Sequence, residues 1–228
     1  MHPPLVRASE AITLVGGGPV PADRIRAALQ RAPVLVAADG GADRARALGH
    51  LPDAIIGDLD SLSNHEWWRK SGISVHRIPE QDSTDFEKCL RATEAPLILA
   101  VGFLGGRFDH ALAVASALVA YRARPVLVLG EEDVIFHCPE VLALELPAGA
   151  RVSFFPLGEI RGTESAGLRW SVEGLAMRPG GVIGTSNEAV GGPVRAAFDA
   201  PGILVILPVD HLDAAIGAVT RAPDPSSS

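Results

Sequence analysis

Apolar and polar positions follow two different regimes along the chain. Up to about residue 130, short β-rich runs ("AITLV", "VLVAA", "DAIIG", "ISVHRI", "PLILAVG", "PVLVLG") alternate with stretches of helical spacing ("PADRIRAALQRA", "ADRARALG", "NHEWWRKSG", "TDFEKCLRATE", "DHALAVASALVAYRA"). That alternation predicts an N-terminal α/β layered domain, 1–130, built on a mainly parallel sheet. From 131 to 220 no strong helical period returns until "HLDAAIGAVTRA". The segments "VIFHC", "VLALELP", "RVSFFPL", "GLRWSV", "GVIGTSNEAV", "VRAAFD" and "GILVILPV" are instead separated by Gly and Pro. They predict a small C-terminal antiparallel β-sandwich or barrel, the sandwich being the fold expected here. No internal repeat is visible, and the tail 221–228, with its "APDPSSS", is expected to be disordered.

Composition agrees with this picture and narrows the function classes. With 228 residues, 47% of them hydrophobic, the chain can bury a large core. The start "MHPPLVRASEAITLVGGG" lacks a basic stretch followed by a long apolar core, so no signal peptide is expected, and no apolar run reaches membrane-spanning length. Cys89 and Cys138 are the only cysteines and have no metal-binding spacing. Unpaired thiols suit a reducing compartment, which predicts a cytoplasmic protein with no membrane partner. A formal charge of −7 without a Lys/Arg cluster argues against a nucleic-acid partner. Any phosphate it binds should be small and complexed with metal.

The candidate chemistry sits at strand ends. In "AIIGDLDSLS" a buried strand runs out into Asp58 and Asp60. Side chains two apart on an extended segment leave the same face, with Cα atoms about 6.8 Å apart, so the two carboxylates can converge on one cation. The alternative is a solvated turn in which one of them caps the next helix. In "PEQDSTDFEKCL", Thr84 and Glu87 have capping-box spacing, which accounts for both by helix initiation. That leaves Asp82, Asp85 and Lys88 at a helix N-terminus able to receive a metal-bound phosphate, with dipole complementarity as the simpler reading of Asp85. In "AVGFLGGRFDHALAV", Gly105 and Gly106 allow close backbone approach, and Arg107 offers a planar fork for phosphate oxygens. Asp109 stands where the helix would be capped, and His110 reads as an ordinary first-turn residue. "VAADGGADRA" places Asp39 after a further strand with two glycines behind it. Trp67 and Trp68 of "HEWWRK" read as helix packing.

Neither a P-loop nor a dinucleotide fingerprint is present: no "GxxxxGK[ST]" occurs, and "GGGPVP" has the wrong spacing. Carboxylates for Mg²⁺ together with a Lys and an Arg for phosphates are nevertheless what phosphoryl-type transfer requires, because that chemistry is mostly positioning and charge neutralisation.

"ADGGADRA", "DAIIGDLDS", "QDSTDFEK", "GFLGGRFDH", "GLRWSV" and "GTSNE" occur in an order that resembles thiamine pyrophosphokinase, over roughly residues 12–208. The resemblance implies an α/β catalytic domain, a β-sandwich and a homodimer with thiamine sites between subunits. It also implies transfer of the β,γ-pyrophosphate of ATP to the primary alcohol of thiamine, with release of AMP. By the same resemblance Asp58, Asp60 and Asp85 are the leading Mg²⁺ ligands, with Asp39 and Asp82 close by. Gln81, Thr84, Arg107 and Asp109 look like nucleotide contacts, and Lys88 would neutralise charge on the transferred group. Ser186, Asn187 and Trp170 look like thiamine-binding positions, Trp170 having a core position in the sandwich as its alternative. Asp43 departs from the pattern, standing where many relatives have Asn, and is left outside the site. Two other functions stay open: a pyrophosphokinase for another hydroxymethyl heterocycle, and a non-catalytic thiamine- or nucleotide-binding protein.

Overall fold

The computed structural model describes residues 3–221, so the tail expected to be disordered lies, beyond Arg221, outside the described residues. The chain divides into two compact units, one through Glu132 and one from Asp133 onward.

In the first unit strands and helices alternate. The order is β1 (Val6–Arg7), β2 (Ile12–Val15), α1 (Ala22–Leu29), β3 (Val34–Ala38), α2 (Gly41–Ala47), β4 (Ala54–Gly57), α3 (His65–Lys70), β5 (Ser74–Arg77), α4 (Asp85–Ala92), β6 (Thr93–Glu94), β7 (Ile98–Val101), α5 (Phe108–Ala120) and β8 (Val126–Leu129). Six strands pair in parallel in the order β8-β7-β2-β3-β4-β5. The short β1 and β6 pair separately, also in parallel. Strands β2, β4, β7 and β8 are buried over their whole length, which is why they read as unbroken apolar runs rather than alternating ones.

Strand order reverses at β2, with β3 on one side and β7 on the other. Open α/β sheets bind ligands in the crevice beyond such a reversal, at the carboxyl ends of the strands. The backbone there is built for close approach. A Cβ at Gly16 would meet the Gly102 carbonyl at 2.6 Å, and Gly102 itself has φ +78°.

Local signals start the helices beside this crevice. Thr84 and Glu87 form the expected capping box at α4, each satisfying the other's backbone N–H. Asn64 caps α3 through its side chain, which accepts from the Trp67 N–H. Helix α5 departs from expectation. It begins at Phe108 with Arg107 in the capping position, and Asp109 lies inside the first turn, accepting from the His110 N–H.

The strand ladders of the second unit are antiparallel. It comprises β9 (Asp133–His137), β10 (Val141–Leu146), β11 (Arg151–Pro156), β12 (Ile160–Ala166), β13 (Ala176–Met177), β14 (Gly184–Glu188), β15 (Gly192–Phe198) and β16 (Ile203–Pro208), then a 3₁₀ turn (Val209–His211) and α6 (Leu212–Thr220). One sheet has the order β14-β11-β16-β9 and the other β10-β15-β12-β13. Phe154 of the first and Phe198 of the second meet with ring centroids 5.5 Å apart, inside the apolar layer. "GLRWSV" is not a strand. Its Leu168 makes one isolated bridge to Ala189, the Arg169 N–H goes to the Glu188 carbonyl, and the Trp170 backbone is held by a side chain. "IRGTESA", which lacks an apolar run, does form a strand, β12. No helix among the described residues is long and apolar enough to cross a membrane.

Candidate active site

A cavity of about 790 Å³ opens at the carboxyl ends of the parallel strands, lined by glycines following β2 and β7 and by Asp39, Asp58, Asp60, Asp85 and Lys88. Five βα junctions supply it.

Asp39 ends β3 with φ +46° and is 1% exposed. Its Oδ2 accepts from the Ser61 N–H at 3.2 Å, while its Oδ1 is buried and has no hydrogen-bond partner among the described residues. A Cβ at Gly57 would stand 2.9 Å from the Asp39 Cβ, so the last residue of β4 must be glycine for the two strand ends to sit this close. Burial pushes the Asp39 carboxyl up to about 7. The Ser61 N–H opposes this, and the charges of Asp85 and Asp58 add to it.

Asp58 accepts from Lys88 Nζ at 2.8 Å and from Gln81 Nε2 at 3.1 Å. The hydrogen bond from Lys88 holds its carboxyl down at about 2 against partial burial. Asp60 is exposed and follows Leu59, a non-glycine residue with φ +70°. The carboxylate oxygens of Asp39, Asp58 and Asp60 lie within 4.8 Å of one another. Three converging carboxylates, one with a buried oxygen that lacks a donor, make a donor set that could hold a hard divalent cation.

Lys88 is the counter-charge. Only 2% exposed, it reaches Asp58 at 2.8 Å and Asp85 at 3.2 Å. Burial alone would lower its ammonium, but these two hydrogen bonds outweigh it and hold the group above the ordinary lysine value. Asp85, the first residue of α4, is shifted upward by burial against the pull of Lys88.

The remaining predicted residues divide by position. Gln81, Thr84 and Arg107 line the cavity, the Thr84 hydroxyl also serving the cap of α4. Arg107 pairs with Asp109 in an exposed ion pair at the rim. Asp82 is exposed and absent from the cavity wall, its N–H donating to Glu80. Glu80, which the sequence reading did not single out, gathers Ser83, Arg91 and the Asp82 N–H, and so shapes the turn before α4. Asp43, Phe103 and His110 line the cavity without having been placed there. "GGGPVP", which lacks the spacing of a dinucleotide fingerprint, contributes Gly17 and Gly18 to its lining.

In the second unit Trp170 is 53% exposed with the Arg169 guanidinium 4.7 Å over its ring, so it is not a core aromatic. Ser186 has φ +60° and sits in a β-bulge, where the register between β11 and β14 shifts. Asn187 is buried, and its carboxamide makes three hydrogen bonds. It accepts from the N–H groups of Trp170 (3.1 Å) and Glu188 (2.8 Å), and donates to the Trp170 carbonyl (2.7 Å). Its side chain therefore holds the tryptophan in place.

A parallel α/β sheet with an acidic, glycine-floored crevice at its reversal point, followed by an antiparallel β unit, is the build of a two-domain α/β enzyme. Residues 25–129 match the family model described as "Thiamin pyrophosphokinase, catalytic domain", and 136–203 match "Thiamin pyrophosphokinase, vitamin B1 binding domain". The chain is 30% identical to thiamine pyrophosphokinase 1 of Oryza sativa subsp. japonica, over 77% of this chain and 79% of that one. It is also 30% identical to thiamin pyrophosphokinase 1 of Caenorhabditis elegans, over 79% and 82%. Among solved structures, thiamin pyrophosphokinase from Candida albicans shares the fold with a TM-score of 0.74 at 17% identity, covering 91% of this chain and 95% of that one. The Geobacillus thermodenitrificans thiamin pyrophosphokinase gives 0.71 at 25% identity, over 87% and 96%. The chain belongs to the thiamine pyrophosphokinase family, a family of enzymes.

Proposed function

We propose that the chain transfers the pyrophosphate group of ATP to the hydroxyl of thiamine, giving thiamine diphosphate and AMP, as a cytoplasmic homodimer with thiamine sites between subunits. The observation that carries this reading is the convergence of Asp39, Asp58 and Asp60 beside the buried Lys88 in the strand-end crevice. Family membership supplies the substrate pair, and the buried free thiols of Cys89 and Cys138 suit a reducing compartment.

Asp39, Asp58 and Asp60 would hold Mg²⁺, with Asp85 beside them, and the bound ion would supply charge neutralisation on phosphate oxygens. Lys88 presents a fixed positive charge that needs no reorganisation as negative charge redistributes during transfer. Arg107 offers its guanidinium fork at the cavity wall, steadied by Asp109, while Gln81 and Thr84 orient the nucleotide. Asp82 lies outside the wall, and we give it no contact. Loose phosphoryl-type transition states demand little of a base, and none is assigned. On the thiamine side Trp170 offers a flat exposed face, Ser186 a hydroxyl on a bulge, and Asn187 the bracing of Trp170.

The test is to incubate the purified protein with ATP, Mg²⁺ and thiamine and to separate the products by chromatography. Thiamine diphosphate with equimolar AMP is the expected outcome. ADP with thiamine monophosphate would overturn the pyrophosphoryl reading, and thiamine binding without turnover would make the chain a binder. Asp60→Asn should abolish turnover with the fold intact by circular dichroism; normal activity in that variant would sink the metal assignment.

A further inference from the structure

The segment 58–64, which joins β4 to α3 and carries Asp58 and Asp60, is conformationally costly. Leu59 has φ +70° and Asn64 φ +47°, both left-handed without being glycine. Such residues persist only where their surroundings over-determine them. Three anchors do so here. The Ser61 N–H donates to Asp39 Oδ2, Leu62 is buried in a cluster with Ala42 and Trp68, and the Ser63 N–H donates to Asp43 Oδ2 at 2.7 Å.

The third anchor reaches further than the others. Trp68 on α3 is fully buried, and its indole N–H donates to the second Asp43 oxygen, Oδ1, at 3.2 Å. A buried indole N–H needs an acceptor, and this is the one it has among the described residues. Asp43 stands in the first turn of α2. One carboxylate thus joins α2, the strained loop and α3, with each oxygen committed to a different donor. The outer side is braced as well: the Arg46 guanidinium lies 3.7 Å over the Trp67 ring, which meets Trp68 edge-on at 4.7 Å.

We propose that Asp43 and Trp68 are positioning residues, whose clasp on Ser63 fixes the loop so that Asp58 and Asp60 converge with Asp39. The inference rests on the functional reading above. It assigns a role to two groups that line or back the site without touching the reacting atoms. A carboxylate fits the two donors of this chain, because they approach different oxygens, and a carboxamide in the same pose turns its NH₂ toward one of them.

The test compares Asp43→Asn, Trp68→Phe and the double variant with wild type, after circular dichroism and thermal unfolding confirm that each is folded. Mn²⁺ binding is titrated by electron paramagnetic resonance of the free ion, and the Mg²⁺ concentration for half-maximal thiamine diphosphate formation is measured alongside. Outer-shell partners of metal ligands are worth about tenfold or more in affinity, so Asp43→Asn should weaken Mn²⁺ binding and raise the Mg²⁺ requirement by about tenfold. The KM for thiamine at saturating Mg²⁺ should stay where it was. In the double variant the opposing indole N–H is gone and the carboxamide oxygen can serve Ser63 alone, so binding should recover relative to Asp43→Asn. Unchanged Mn²⁺ affinity in Asp43→Asn, or a double variant no better than that single one, would overturn the positioning role. A wild-type chain that binds Mn²⁺ but forms no thiamine diphosphate would overturn the proposed reaction, with the Mn²⁺ titrations still deciding for or against the clasp.

Discussion

The acidic crevice of the first unit and the Trp170 corner of the second are both held together by hydrogen bonds, yet with opposite economies. In the crevice, like charges are crowded around Lys88, which touches both Asp58 and Asp85 while almost wholly removed from solvent. Each group is tolerable only because the others are there. In the corner the hydrogen bonds that fix Trp170 run between neutral groups, Asn187 holding it through the tryptophan's own backbone. Loss of one member of a charged cluster should therefore spread through the cluster, whereas loss of one member of the neutral corner should stay local.

Lys88→Met is the largest expected break. Removing one partner of a buried ion pair leaves uncompensated charge, so the variant should lose all turnover and about 3 kcal/mol of stability by urea unfolding. Full stability in that variant would show that the cluster is not interdependent. Asn187→Ala comes next, leaving two backbone N–H groups without acceptors, one of them on the Trp170 segment. It should cost about 2 kcal/mol, raise the KM for thiamine, and leave the Mg²⁺ requirement unchanged. A shifted Mg²⁺ requirement would erase the distinction between the regions. Trp170→Ala should have the smallest effect. Its ring is half exposed, so thermal unfolding should not move, while the KM for thiamine rises by about fivefold, the value of a lost aromatic contact.

The parts of this molecule that were legible in the sequence were those written in local chemistry. Buried parallel strands appear as apolar runs, the α4 cap as Thr84 with Glu87, and the acidic strand ends as Asp39, Asp58 and Asp60. What stayed hidden depends on groups brought together across elements. Asp39 joins the converging set because β3 pairs with β4 in a register that sets Ala38 opposite Ile56, and because Gly57 leaves room. Asp43 looked peripheral because its two donors lie 20 and 25 residues further along. "GLRWSV" has strand composition, but its backbone is captured by Asn187 before a ladder can form. "IRGTESA" lacks an apolar run, yet pairs with β15 through backbone bonds helped by the Glu164–Arg195 ion pair.

The enclosure of Lys88 has a practical side. The chain contains two lysines, and the other, Lys70, stands on α3 with 75% of its side chain exposed. Of the two lysines, an acylating fluorophore should therefore ignore the crevice ammonium and attach to Lys70, two residues beyond Trp68. The fold has in effect shut one lysine away and left the other as a handle, giving a reporter on the helix whose indole donates to Asp43.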